Sequence, residues 1–114
     1  MSTRAPALDR EAYVAWRAGT TPGEPTKARI EETGIAPIRV QDDGVTFVWV
    51  CPACGWTAAG EFADEPVSGW DAPRWTREGA DDSLTLFPSL GCPGFRDGRC
   101  TGHYWLRNGE LAPA

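Results

Sequence analysis

The sequence predicts a mainly β fold, a small antiparallel sheet domain with a zinc knuckle and one short N-terminal helix. Three observations carry that expectation. Apolar and polar residues alternate on both sides of Asp43-Gly44, as two strands joined by a tight turn require. Cys51-Pro52-Ala53-Cys54-Gly55 has the C-x2-C spacing that points two sulfurs at one ion. Thirteen Gly and 10 Pro in 114 residues imply many turns and little long regular structure.

Taken in order, Asp9 caps a helix over residues 9–18, with Leu8, Ala12, Ala15 and Trp16 near one face and Gly19 as its stop. Residues 20–25 hold two prolines and a glycine, so a linker or irregular loop is expected there. Residues 1–35 are thus read as an N-terminal helix and linker, and 36–114 as the zinc-stabilised β domain. Ile38 and Val40, then Val45, Phe47 and Trp49, make a hairpin that runs into Cys51. A third strand is expected over 56–62, and mostly loop over 64–79. Leu84 and Leu86 mark another strand, and residues 103–107 the next, which turns at Asn108-Gly109. Trp49, Trp56, Trp75 and Trp105 are expected to fill the core. Trp70, Trp75 and Phe95, in Gly/Pro-rich surroundings, offer the alternative of lining a groove for an extended peptide.

A formal charge of -5 argues against nonspecific nucleic-acid binding, which rests on clustered Lys and Arg. Ten of the 11 basic residues are Arg, scattered along the chain; only Arg74, Arg77, Arg96 and Arg99 offer a local basic surface. A protein or peptide partner is expected instead. No apolar run reaches the roughly 18 residues needed to cross a bilayer. The charged first ten residues lack the apolar block of a secretory signal, so a reducing cytoplasm is the expected compartment. Thiolates there favour metal over disulfide.

The second cysteine pair, Cys92 and Cys100, encloses seven residues that include Pro93, Gly94 and Gly98. Two tetrahedral sets follow: Cys51, Cys54, Cys92 and Cys100, which is favoured, or Cys51, Cys54 and Cys100 with His103. A thiolate-saturated zinc ion is closed to substrate and serves folding.

Thr85-Leu86-Phe87-Pro88-Ser89 and, after the cysteine loop, Cys100-Thr101-Gly102-His103-Tyr104-Trp105-Leu106-Arg107-Asn108-Gly109 fit the patterns T-L-x-P-S and C-x-x-H-[FYW]-W-[LI]-R-x-G. With the upstream Cys51-Pro52-Ala53-Cys54-Gly55, residues 45–111 resemble a bacterial and phage family of a domain of unknown function. Some of its members lie in operons for bacterial ubiquitin-like conjugation and look like peptidases that trim or release the modifier. The resemblance implies a peptidase. The residues themselves offer one serine and one histidine flanking the cysteine loop, and His103 is the sole histidine. In that reading Ser89 attacks a scissile carbonyl, His103 takes and returns the proton, and Asp97 or Asp82 orients the imidazole. Gly91 or Gly94 would let backbone N–H groups approach the oxyanion. The competing reading is a noncatalytic zinc-ribbon-like adaptor that binds protein through loop aromatics and the N-terminal helix.

Overall fold

Strand formation follows the alternation of apolar side chains, and in this computed structural model residues 3–62, 74–95 and 98–114 are described, the side chains of Asp82 and Phe95 excepted. Along the chain run β1 (Thr3–Arg4), α1 (Arg10–Arg17), α2 (Glu24–Thr33), β2 (Arg39–Val40), β3 (Thr46–Val50), β4 (Thr57–Phe62), β5 (Arg74–Glu78), β6 (Thr85–Gly91), β7 (His103–Arg107) and β8 (Glu110–Pro113). The strands form one eight-stranded sheet in the order β1-β8-β7-β6-β5-β4-β3-β2. Only β4 and β5 pair in parallel; the other neighbours are antiparallel.

The sheet curls until its two ends meet. Arg4 N–H donates to Gly34 O (3.0 Å), Ala36 N–H to Arg4 O (2.8 Å), Ile38 N–H to Pro6 O (2.9 Å) and Leu8 N–H to Ile38 O (2.8 Å). β1 therefore pairs with β8 on one side, and residues 4–8 run beside residues 34–38, which lead into β2, on the other. Inside the curl lie Ile38, Phe47, Trp49, Val50, Leu84, Leu86, Leu90, Leu106 and Leu111, all almost inaccessible to water. Burial of each stabilises by about 1.5–3 kcal/mol. Phe47 stacks on Phe62 with ring centroids 5.1 Å apart and meets Trp75 edge-on at 5.4 Å. Gly60 makes room for that cluster, since a Cβ there would lie 2.4 Å from the Trp75 ring.

The predicted first helix is present: Asp9 Oδ1 accepts from Ala12 N–H at 2.8 Å. Where the sequence predicts a single helix followed by linker, a second helix, α2, begins. Pro25 stands in its first turn, where a missing N–H costs nothing, and Gly34 (φ 71°) closes it. Thr26 and Ile30 are its buried residues. Arg29 reaches from α2 to the carbonyls of Trp16 (2.5 Å) and Ala18 (2.9 Å), tying the end of α1 down.

Two further expectations need correction. The stretch 64–79 contains β5, which is held by β4 and β6 on either side; residues 63–73, with Trp70, lie outside the described residues. Of the four tryptophans assigned to the core, Trp49 and Trp75 are buried, Trp105 is half-buried on the outer side of β7, and Trp56 is 58% exposed. Trp56 falls just before the first ladder residue of β4 and lies against the flank of Gly23, 3.7 Å from where a Cβ would stand.

Candidate functional site

Two turns bring four sulfurs together. The knuckle turn between β3 and β4 supplies Cys51 and Cys54; Gly55 N–H closes it onto Cys51 O at 2.7 Å, and Gly55 takes φ 79°. Only glycine fits there for a second reason: a Cβ would stand 2.0 Å from Gly23 O, because α2 starts against the knuckle. The β6–β7 connection supplies Cys92 and Cys100. Cys92 N–H donates to Gly102 O (2.9 Å), and Cys100 N–H to Gly94 O (3.0 Å). The four Sγ atoms all lie within 4.8 Å of one another. Cys51–Cys100 and Cys54–Cys92 stand 3.8 and 3.6 Å apart, close to the spacing of about 3.8 Å that four sulfurs adopt around one tetrahedral ion with 2.3 Å bonds. The residues fit a metal. Gly102 completes the cage, since a Cβ there would meet Cys51 Sγ at 2.3 Å.

Burial pushes the Cys51 thiol far up and the Cys92 thiol up to about 11. Burial also opposes charge on Cys100, but the Gly102 N–H and hydrogen bonds with the Cys54, Cys92 and Cys51 thiols outweigh it and lower its pKa. The Tyr104 phenol is raised to about 12, first by burial and then by repulsion from these sulfurs. Negative charge is therefore disfavoured at Cys51 and Cys92 unless a cation compensates it.

The second constellation lies on the same hairpin. In β6, Leu86 faces Leu106 and Leu90 faces Tyr104, so Phe87, Pro88 and Ser89 stand opposite the single Trp105. Such a bulge re-aims the side chains it carries. Pro88, which has no N–H for the ladder, is a sequence signal for one. Ser89 Oγ stands 2.6 Å from His103 Nε2. His103 is the first residue of β7, opposite Gly91, and both members of the pair are half-buried. Gly91 is exposed, with nothing within 4 Å of where a Cβ would stand. Trp75 Nε1 donates to the Ser89 carbonyl at 3.2 Å. That link was not foreseen, although a buried indole always raises the question of where its N–H goes.

Among the residues named from sequence, the four cysteines form one group, and Ser89 meets His103 rather than lying apart from it. Asp97 and the Asp82 side chain lie outside the described residues. Gly94 sits in the cysteine loop, its carbonyl engaged by Arg99 and Cys100. A groove of about 400 Å³ opens beside the sulfurs, walled by Cys54, Trp56, Thr57, Pro93, Gly94 and Arg99. Its aromatic is Trp56, whereas Trp75 is buried and Trp70 and the Phe95 side chain are not described.

The chain is a curled β domain in which four clustered cysteines that could hold a metal lie beside a hairpin carrying a Ser–His contact. The family is more specific. Residues 22–114 match the model of the family described as "BubE: Bacterial ubiquitination-like system serine protease", and the chain belongs to that family. No curated protein and no solved structure matched the chain. Among the described residues, no helix is long and apolar enough to cross a membrane.

Proposed function

We propose that this chain is a serine-type peptidase acting on a peptide or ubiquitin-like protein tail in the reducing cytoplasm. Ser89 is its nucleophile, His103 its base and acid, and a structural zinc ion sits on Cys51, Cys54, Cys92 and Cys100. The observation that carries this reading is the 2.6 Å approach of Ser89 Oγ to His103 Nε2, made where a bulge turns the serine toward the start of the neighbouring strand. Membership of a family described as serine proteases of a ubiquitination-like system supports it independently.

For Nε2 to accept the serine proton, the neutral imidazole carries its own proton on Nδ1. Oγ then bonds to the substrate carbonyl carbon as Nε2 takes the hydroxyl proton, and the carbonyl oxygen becomes an oxyanion. Collapse breaks the C–N bond, the leaving amine takes the proton from Nε2, and the acyl group stays on Ser89. Water, deprotonated by the same nitrogen, attacks that ester and frees the acid and the serine. Proton transfer by a positioned imidazole contributes typically about 10²–10⁴-fold. The open space beside Gly91 leaves room for a substrate chain next to the base. Zinc on four thiolates has no open position and supplies folding energy, on the order of 10 kcal/mol. Through Cys92, Cys100 and Gly102 the cage holds the hairpin end on which His103 stands.

Labelling of the metal-loaded protein with a fluorophosphonate, read by intact mass, tests this. A stoichiometric adduct that disappears in both Ser89→Ala and His103→Ala is expected; a folded, metal-loaded protein that takes no adduct refutes the reading. The exposed Trp56 over the groove favours a second reading, a noncatalytic protein-binding adaptor. In that case Trp56→Ala abolishes partner binding while Ser89→Ala changes nothing.

A further inference from the structure

We infer that Trp75 is a positioning residue for Ser89: its indole N–H holds the serine main chain so that Oγ stays within reach of His103. The inference rests on the proposed role of Ser89. Its structural basis begins with the bulge, where residues 87–89 leave the regular register with β7. There a side chain from the opposite neighbour, β5, grips the Ser89 carbonyl: Trp75 Nε1 donates to it at 3.2 Å. A carbonyl fixed in place constrains the orientation of its own Cα–Cβ bond, and hence the direction of Oγ.

The indole is itself held. Trp75 is 8% exposed, the Phe47 ring meets it edge-on at 5.4 Å, and two of its ring carbons lie 2.4 and 2.7 Å from where a Gly60 Cβ would be. Residue 60 must be glycine for the ring to lie where it does. The chain of contacts from Gly60 through the indole to the Ser89 carbonyl is a rigid strut from the core to the reacting hydroxyl. A displacement of about 1 Å at a reacting group costs about 100-fold in rate, so one lost donor that lets the bulge relax is expected to show.

The test replaces Trp75 alone with benzothienylalanine, which keeps the outline of the indole and puts sulfur where the N–H was; Trp75→Phe is the simpler companion. Three quantities are read: metal content and Tm, the second-order rate constant for fluorophosphonate labelling, and the ring ¹⁵N resonances of the single histidine. With metal content and Tm unchanged, labelling is expected to fall about 10-fold or more, and the His103 Nε2 resonance to move as its contact with Ser89 loosens. A purely structural role would leave that resonance still. If Trp75→Phe fails to fold, the isosteric variant decides. A folded isosteric variant that labels at the wild-type rate with an unmoved resonance overturns the inference. If the wild-type protein takes no adduct, the peptidase reading fails; the resonance then decides alone, a shift supporting the positioning by Trp75 and its absence overturning it.

Discussion

Gly102→Ala tests whether the cage and the Ser–His pair depend on one another, because Gly102 packs against the cage sulfurs and directly precedes His103. Its missing Cβ would stand 2.3 Å from Cys51 Sγ, 3.2 Å from Cys100 Sγ and 3.3 Å from Cys92 Cβ. Ordinary contact between such atoms is about 3.5 Å or more, so the Cys51 sulfur must retreat by about 1.2 Å. Coordination bonds tolerate about 0.2 Å. The methyl therefore either displaces a ligand or pushes the start of β7, and with it His103, away from β6. Overpacking costs up to about 3 kcal/mol before any metal is lost, and each kilocalorie lowers Tm by about 4–8 °C in a domain of this size. At the roughly 1–3 kcal/mol typical of overpacking, the expected result is a Tm lower by about 4–24 °C, less than one metal per chain and loss of labelling at Ser89. Metal analysis, calorimetry and intact mass on one preparation read all three. A Gly102→Ala protein with one metal per chain, wild-type Tm and full labelling refutes the argument.

Gly91→Ile fills the open flank opposite His103; wild-type Tm is expected to persist while labelling by a bulky fluorophosphonate slows more than labelling by a small one. Equal slowing for both probes counts against substrate passing there. Stripping the metal with a mercurial and a chelator is expected to lower Tm and remove labelling together, and labelling that survives in the metal-free protein separates the two sites. Asp43 carries the β2–β3 turn, accepting from the N–H groups of Thr46 and Val45, which hold its carboxyl below the ordinary 3.8. A lowered folded pKa means that this stabilisation is present above about pH 4 and is lost as pH falls through the folded value. The difference in unfolding free energy between wild type and Asp43→Ala is therefore expected to shrink from pH 7 to pH 3, the proton competition for the thiols being common to both proteins; a constant difference contradicts the assignment.

The hairpin from β2 to β3 was legible because Ile38 and Val40, then Val45 and Phe47, alternate with polar residues and Asp43-Gly44 supplies a turn that few other dipeptides form. The last hairpin was legible for the same reason, with Asn108 at φ 51° and Gly109 at φ 76°. Helix α2 was hidden because its punctuation resembles a linker: Pro22, Gly23 and Pro25 break a helix inside it but are allowed at its start. β1 is two residues long, and what makes it a strand is β8, more than a hundred residues later. The residue types of the candidate site were legible, cysteines by spacing and Ser89 and His103 by motif. Their meeting was not, since it depends on the bulge, which Pro88 hints at and only the pairing of β6 with β7 reveals. Trp56 misled because a tryptophan beside a strand is usually core, whereas here α2 offers it the flank of Gly23 at the surface.

The curl of the sheet has a consequence for how the chain is made. A ribosome delivers β1 more than a hundred residues before β8, its partner on one side. Until then the nascent chain carries the unpaired edge of β1 and that of whichever strand is newest. The order of synthesis and the order of closure run opposite ways. Every copy must pass through a stage in which most of the sheet exists and its edges are still adhesive, and that interval ends only when the β7–β8 hairpin is free to swing back onto β1.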